Sequence, residues 1–131
     1  MRILIAEDDF ASRLFMKKFL SKYGECDVVV DGIEAIDAYL NSINEGFRYD
    51  LICLDIMMPR VDGMKALKSI RDIEKQNGIE TEKRVKIIMT TALNDKKTVL
   101  NAYDSGCEAY AWKPIEMDKF ILVMKKLGLI L

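Results

Sequence analysis

Carboxylates stand directly after two short apolar segments of this sequence. Asp55 closes the run 51–54, and three consecutive acids, Glu7-Asp8-Asp9, follow the run 2–6. Clustered carboxylates repel one another unless a cation lies among them or some of them bind a proton. Oxygen ligands without histidine or cysteine favour Mg²⁺, which binds through one or two carboxylates and retains several waters. A carboxylate can also act as a nucleophile and form an acyl phosphate.

A hydroxyl and an ammonium stand at the ends of two further apolar segments. The segment 85–90 is followed by Thr91, and the segment 109–112 is followed by Lys113. An ammonium beside a carboxylate and a metal ion can bind a phosphoryl group, and a hydroxyl can help to neutralise its oxygens. Taken singly, each residue is ordinary: a turn or cap acid, a strand threonine, a surface lysine. Their chemical significance depends on whether the fold brings them together.

Five apolar segments alternate with five segments of helical periodicity. We predict strands at 2–6, 26–30, 51–54, 85–90 and 109–112, and helices at 10–23, 33–43, 63–76, from Asn94 or Asp95 to Gly106, and 116–127. Strands that alternate with helices predict one α/β domain, 1–131, with a parallel sheet and helices on both faces. The carboxyl ends of parallel strands lie along one edge of the sheet, where such folds bind ligands. The side chains that follow these strands should therefore lie close together: the acids 7–9, Asp55, Thr91 and Lys113.

The inner faces of two helices follow from apolar spacing. In the first helix we predict that the buried side chains are Leu14, Phe15, Phe19 and Leu20. In the fourth helix we predict an inner stripe of Val99, Leu100 and Tyr103.

Composition excludes several classes of function. The 131 residues carry a net charge of −1, so nothing indicates direct binding to nucleic acid. No apolar run approaches the length of a membrane span or a secretory signal, and we predict a cytoplasmic protein. Three dispersed cysteines without a C-x-x-C motif predict small buried side chains rather than a disulfide or zinc site. The absence of histidine excludes Ser-His-Asp chemistry and a phosphohistidine within the chain itself.

Four segments carry a family resemblance that spans essentially the whole chain. They are 3–9 (ILIAEDD), 54–63 (LDIMMPRVDG), 90–92 (TTA) and 106–114 (GCEAYAWKP). In these segments the chain resembles the receiver domains of two-component response regulators, especially the single-domain chemotaxis type. The resemblance implies a flavodoxin-like (βα)₅ doubly wound sheet of five parallel strands in the order 2-1-3-4-5.

The same resemblance implies a metal site. Asp55 would be the phospho-acceptor, Asp8 would bind Mg²⁺ directly, Glu7 would bind it through water, and the backbone carbonyl of Met57 would be a further ligand. The adjacent pair Asp8-Asp9 is the alternative if the alignment slips by one residue. Metal ligands of this hard, oxygen-only kind suit Mg²⁺.

The resemblance also implies a phosphoryl site and a switch. Thr91 and Lys113 would bind the phosphoryl oxygens, and the peptide bond Lys113-Pro114 would be cis. Thr91 would move onto the phosphoryl group while the ring of Tyr110 turns inward.

A phosphorylation-dependent receiver would accept its phosphoryl group from a histidine kinase or a histidine phosphotransfer protein. Its output would be a protein partner bound on the face formed by the fourth helix, fifth strand and fifth helix. It would catalyse only its own phosphorylation and dephosphorylation, with no role at a membrane. One alternative is a haloacid-dehalogenase-like phosphatase, although Met57 occupies the place of the second acid that such enzymes use. Another is a receiver-fold interaction module that is never phosphorylated.

Overall fold

A computed structural model describes residues 1–131. Five parallel strands form one sheet in the order β2-β1-β3-β4-β5, which confirms the predicted flavodoxin-like topology. The elements are β1 (Arg2–Ala6), α1 (Phe10–Leu20), β2 (Glu25–Val29), α2 (Gly32–Asn44), β3 (Leu51–Asp55), α3 (Gly63–Gln76), β4 (Lys86–Thr91), α4 (Lys96–Asp104), β5 (Ala109–Trp112) and α5 (Met117–Lys126), with a short 3₁₀ turn at Thr81–Lys83. None of the helices has the length and apolar character needed to cross a membrane.

The central strands are covered on both faces by helices. Side chains alternate along a strand, so Leu4 and Ile52 belong to the core beside α2 and α3, whereas Ile3 and Cys53 belong to the core beside α1 and α5. Every residue of β3 is buried, as expected for the middle of a parallel sheet. The less apolar β2 lies at an edge, as predicted. All three cysteines are free, and Cys53 and Cys107 are buried.

Four of the five helices begin at an aspartate that follows a strand or loop at the carboxyl edge of the sheet. Each carboxylate accepts a hydrogen bond from the backbone N–H three residues later, which satisfies one of the unpaired donors of the first turn. The capping residues and distances are Asp9 (2.8 Å), Asp31 (2.9 Å), Asp62 (3.0 Å) and Asp95 (3.0 Å). The caps therefore explain why helices start so close to this edge.

The first helix is shorter than predicted. It ends at Leu20 rather than Tyr23. The hydroxyl of Ser21 donates to the carbonyl of Lys17 at 2.6 Å, and such a side-chain hydrogen bond competes with continuation of the helix. The limits of β2 and β4 also differ from the predicted limits by one residue.

The predicted inner faces of α1 and α4 were partly wrong. Leu14 and Phe15 are exposed in α1, and Leu100 and Tyr103 are exposed in α4. Each helical residue turns by about 100°, so the buried side chains of α1 centre on a different line. The residues that are buried are Met16, Phe19 and Leu20 in α1 and Ala102 in α4.

A network of charged side chains lies at the amino-terminal end of the sheet, where β4 begins. Arg71 of α3 forms ion pairs with Glu74 at 2.6 Å and with Glu108 at 2.7 Å. Glu74 accepts from the N–H of Val85 at 2.9 Å, and Glu108 accepts from the N–H of Ile87 at 2.7 Å. Buried carboxylates need such partners, because an unpaired buried charge is strongly unfavourable.

Candidate functional site

The acids predicted from the sequence meet at the carboxyl edge of the sheet. Ala6 of β1 pairs with Leu54 of β3, so the residues that follow them emerge side by side. Glu7, Asp8 and Asp55 each offer a carboxylate oxygen, and these oxygens lie within 4.8 Å of one another. Asp8 is exposed, whereas Glu7 and Asp55 are only 2% and 3% exposed. The result is two buried carboxylates with a third at their solvent side.

Lys113 supplies the positive charge between the two buried acids. Its Nζ donates to Asp55 Oδ2 at 3.2 Å and also to Glu7 Oε1. The peptide bond Lys113-Pro114, which follows β5, is cis, as the family resemblance implied. Since Lys113 comes from the far edge strand, only the folded sheet brings it to Asp55.

Ionisation of Asp55 is opposed by its surroundings. Burial, reinforced by the hydrogen bond and negative charge of Glu7, raises the pKa of Asp55 to about 7, although the charge of Lys113 acts in the opposite direction. Burial would lower the pKa of Lys113, but its contacts with Glu7 and Asp55 outweigh this effect and raise it. The lysine is therefore a stable cation beside a carboxyl group that titrates near neutral pH.

Thr91 and Tyr110 contact the same loop residue, Leu93. Thr91 is the last residue of β4, one position after Thr90, which pairs with Asp55. Its Oγ1 accepts from the N–H of Leu93 at 3.2 Å, while the hydroxyl of Tyr110 donates to the carbonyl of Leu93 at 2.7 Å. The ring of Tyr110 is buried and packs against Trp112, with centroids 5.1 Å apart. Movement of the loop after β4 would therefore change the hydrogen bonds of both Thr91 and Tyr110.

The loop between β3 and α3, residues 56–62, wraps closely around Asp55. The N–H of Met57 donates to Asp55 Oδ1 at 3.3 Å, and the Met57 side chain points outward, 60% exposed. A Cβ on Gly63 would lie 2.1 Å from the carbonyl oxygen of Asp55. Only glycine fits at this first position of α3, and its place keeps the loop short and the backbone of Met57 beside the acid cluster.

Two contacts at the site had no signal in the sequence. Arg13 of α1 donates through Nη1 to the carbonyls of Glu7 and Asp8, at 3.0 and 3.2 Å. Asp9, besides capping α1, donates its N–H to Glu7 Oε2 at 3.1 Å. The carboxylate of Asp9 caps α1 and is not among the clustered oxygens of Glu7, Asp8 and Asp55, which favours the Glu7-Asp8 pair over the alternative Asp8-Asp9 pair as ligands.

Comparison with known proteins gives the family. Residues 3–125 match the response regulator receiver domain. The chain is 31% identical over 128 residues to the chemotaxis protein CheY of Bacillus subtilis (strain 168), covering 95% of each chain. It is 34% identical over 128 residues to hybrid signal transduction histidine kinase L of Dictyostelium discoideum, covering 97% of this chain but only 7% of that kinase.

Comparison with solved structures points to the same family. The receiver domain of Ssk1, in its complex with the histidine phosphotransfer protein Ypd1 of Saccharomyces cerevisiae, is 31% identical with a TM-score of 0.82, covering 98% of this chain and 88% of that one. A chain of the CheX–CheY–BeF₃–Mg²⁺ complex from Borrelia burgdorferi is 25% identical with a TM-score of 0.82, covering 98% and 89%. With its sheet order, its acid cluster and its match over residues 3–125, this chain belongs to the response regulator receiver domains.

Proposed function

We propose that the chain is a cytoplasmic phospho-acceptor of a two-component phosphorelay, in which Asp55 receives a phosphoryl group in a Mg²⁺-dependent reaction. The observation that carries the proposal is the convergence of Asp55 with Glu7, Asp8 and Lys113 at one edge of the sheet. The chain would modify only its own aspartate, so it is a signalling domain and not an enzyme that turns over a separate substrate.

The acid cluster fits Mg²⁺. Its donors are all oxygens, and the exposed carboxylate of Asp8 makes no hydrogen bond or ion pair, which leaves it free to bind a cation. Glu7, Asp8, Asp55 and the carbonyl of Met57 would hold the ion. When bound, Mg²⁺ would neutralise negative charge that develops on the phosphoryl oxygens.

In the transfer step, an oxygen of ionised Asp55 attacks the phosphorus of a phosphohistidine. The P–O bond forms as the P–N bond breaks, and the electron pair of that bond returns to the donor imidazole. The ammonium of Lys113 is placed to pair with a phosphoryl oxygen, because it already contacts Asp55 Oδ2 at 3.2 Å. The hydroxyl of Thr91 would bind another phosphoryl oxygen after leaving the N–H of Leu93.

The donor of the phosphoryl group is proposed to be a histidine kinase or a histidine phosphotransfer protein. The chain has no histidine of its own, so a phosphohistidine donor would belong to a second protein or domain. The similarity to a receiver domain that forms a complex with a phosphotransfer protein supports this assignment.

The output surface is proposed to be the face formed by α4, β5 and α5. Leu100, Tyr103 and Trp112 are 52%, 45% and 48% exposed on these elements, and apolar side chains exposed in one patch can mark a protein–protein interface. Trp112 packs on Tyr110, the proposed switch residue. Tyr110 and Thr91 both hydrogen-bond Leu93, so a movement of Thr91 could alter the position of Trp112 on this face.

The simplest test supplies acetyl phosphate and Mg²⁺ and measures the intact mass. We expect a gain of one phosphoryl group, because a small acyl phosphate can replace the protein donor. Excess EDTA should abolish the gain. Labelling that continues undiminished in EDTA would contradict the metal assignment, and no labelling under any condition would favour the unphosphorylated interaction module.

Metal binding should depend on pH. The ion needs ionised Asp55, whose pKa of about 7 lies well above the ordinary value of 3.8. Below pH 7 a proton competes with the metal, so the half-saturating Mg²⁺ concentration should rise by up to about tenfold per pH unit. Titrations at pH 6 and pH 8, followed by Trp112 emission and calorimetry, measure the difference. Equal affinities at the two pH values would contradict a role for Asp55 as a titrating ligand.

The acyl phosphate should be long-lived. In this family, the side chains two positions after the phospho-acceptor and two after the switch threonine flank the path of the attacking water, and here they are Met57 and Leu93. Neither side chain can donate a hydrogen bond to a water or act as a base toward it, so both should obstruct hydrolysis rather than assist it. A Met57→Asn, Leu93→Glu double variant should lose its phosphoryl group about tenfold faster. The decay of the adduct mass with time measures this, and a double variant that decays no faster would refute the idea.

A further inference from the structure

One salt bridge connects the β3–α3 loop with the start of α2. Arg60 donates a hydrogen bond through Nε to Asp31 Oδ2 at 2.8 Å, and its Nη2 forms an ion pair with the same oxygen at 2.6 Å. The side chain of Asp31 is only 6% exposed, and its other oxygen, Oδ1, accepts from the N–H of Glu34 at 2.9 Å. The two oxygens of Asp31 therefore have separate uses, one as a helix cap and one as an anchor for the loop.

Arg60 has a backbone conformation that needs support. Its φ of 65° makes it the one non-glycine residue of the chain in the left-handed region. This conformation is unfavourable for a residue with a Cβ and persists where the surrounding structure holds it. The Arg60 side chain is 55% exposed, so packing contributes little. The hydrogen bond and the ion pair with Asp31 are the side-chain contacts that hold it.

The loop and α2 also touch through their backbones. A Cβ on Gly32 would lie 2.0 Å from the carbonyl oxygen of Val61, so only glycine permits this approach. At its other end the loop is attached to Asp55 by the N–H of Met57, at 3.3 Å. Met57 therefore lies between two fixed points, Asp55 on one side and the Arg60–Asp31 pair on the other.

We propose that Arg60 and Asp31 are positioning residues, which hold the β3–α3 loop so that the carbonyl of Met57 can bind a divalent cation together with the acids of the cluster. The inference rests on the proposed function, which assigns this carbonyl to Mg²⁺. Groups that orient metal ligands without touching the metal tune its affinity. The salt bridge would act in this way through the backbone of Met58 and Pro59, the two residues between Met57 and Arg60.

Two single variants remove the salt bridge from opposite sides. Arg60→Gly removes the guanidinium and suits the positive φ, which offsets part of the stability that is lost when the buried Asp31 carboxylate loses its ion pair. Asp31→Asn retains the helix cap, because the amide oxygen can accept from the N–H of Glu34. That orientation turns the amide Nδ2 toward the guanidinium of Arg60, where donor faces donor. We expect both variants to raise the half-saturating Mg²⁺ concentration about tenfold.

The measurements separate positioning from general stability. Mg²⁺ titration by Trp112 emission and calorimetry gives the affinity, urea unfolding gives the stability, and phosphoryl gain at saturating Mg²⁺ should match the wild type. The double variant should bind no more weakly than the weaker single variant, because the same interaction is lost only once. The control is Arg48→Ala, which removes the same charge from an exposed side chain that forms no ion pair, and it should bind Mg²⁺ like the wild type.

Two failures are distinguishable. If the wild type binds Mg²⁺ and either single variant binds it equally tightly, the positioning role is refuted while the proposed function stands. If the wild type itself binds no Mg²⁺, the proposed function is overturned and the positioning role falls with it.

Discussion

Asp55→Asn should abolish phosphorylation while leaving the fold intact. The amide retains the shape of the carboxylate and can keep a contact with Lys113, which in any case pairs with Glu7 as well. It has no ionised oxygen to attack phosphorus, so the loss of labelling should be complete. Intact mass after incubation with acetyl phosphate and Mg²⁺ measures the result. A variant that gains one phosphoryl group at the wild-type rate would show that another residue is the acceptor.

The same variant should be more stable than the wild type when no metal is present. An acid whose pKa is raised on folding, here from 3.8 to about 7, contributes stability that is full below about pH 4 and is lost as the pH rises through 7. Asparagine does not titrate, so it avoids this loss. The gain at pH 8 should be on the order of a few kcal/mol in urea unfolding. It should vanish below pH 4, which separates it from any difference in packing.

Lys113→Ala should allow phosphorylation but prevent the conformational response to it. The ammonium is the cation that the structure places between Glu7 and Asp55, and without it no side chain pairs with the phosphoryl oxygens in the same way. The metal-free variant should also lose stability on the order of 2 kcal/mol at neutral pH, because two buried carboxylates then face each other. This value is below that of a fully buried pair, since the Lys113 side chain is 22% exposed.

Trp112 emission, read beside intact mass, separates the two effects. The phosphorylated wild type should change its emission, whereas phosphorylated Lys113→Ala should not. Lys119→Ala is the matched control, because it removes the same charge from an exposed side chain of α5. Thr91→Ala should behave like Lys113→Ala, and Thr91→Ser should restore the response by keeping the hydroxyl. If either alanine variant shows the wild-type emission response, the substituted residue is not part of the switch.

The strand positions and the parallel, doubly wound sheet were predictable because local and global signals agree, whereas the strand order came from the family resemblance. Short apolar runs end at acids, turns or prolines, and one helix follows each strand, so the doubly wound topology leaves few alternatives. The third helix has its predicted limits, 63–76, because its apolar residues repeat at three-residue steps and the turn signal Asp62-Gly63 precedes it. The inner face of α4 was not predictable, since Leu100 and Tyr103 are apolar but remain at the surface that we assign to a partner.

The convergence at the site was predictable for the same reason. Once five parallel strands are expected, the residues that follow them must meet at one edge. What the sequence could not show is how that edge is held. The bond from Arg13 to the carbonyls of Glu7 and Asp8, and the pair Arg60–Asp31, join residues whose spacing follows no periodic pattern. Such contacts depend on the exact path of two loops, which short-range propensity does not specify.

The charge network around Arg71 has a consequence for strand slippage. The N–H groups of Val85 and Ile87 donate to Glu74 and Glu108, and these carboxylates are fixed by the same guanidinium. If β4 slid by one residue along β3, its side chains would exchange faces and both carboxylates would lose their backbone donors. The network therefore sets how far β4 extends along the sheet. Thr91 emerges beside Asp55 because the strand is anchored about 20 Å away, at its opposite end.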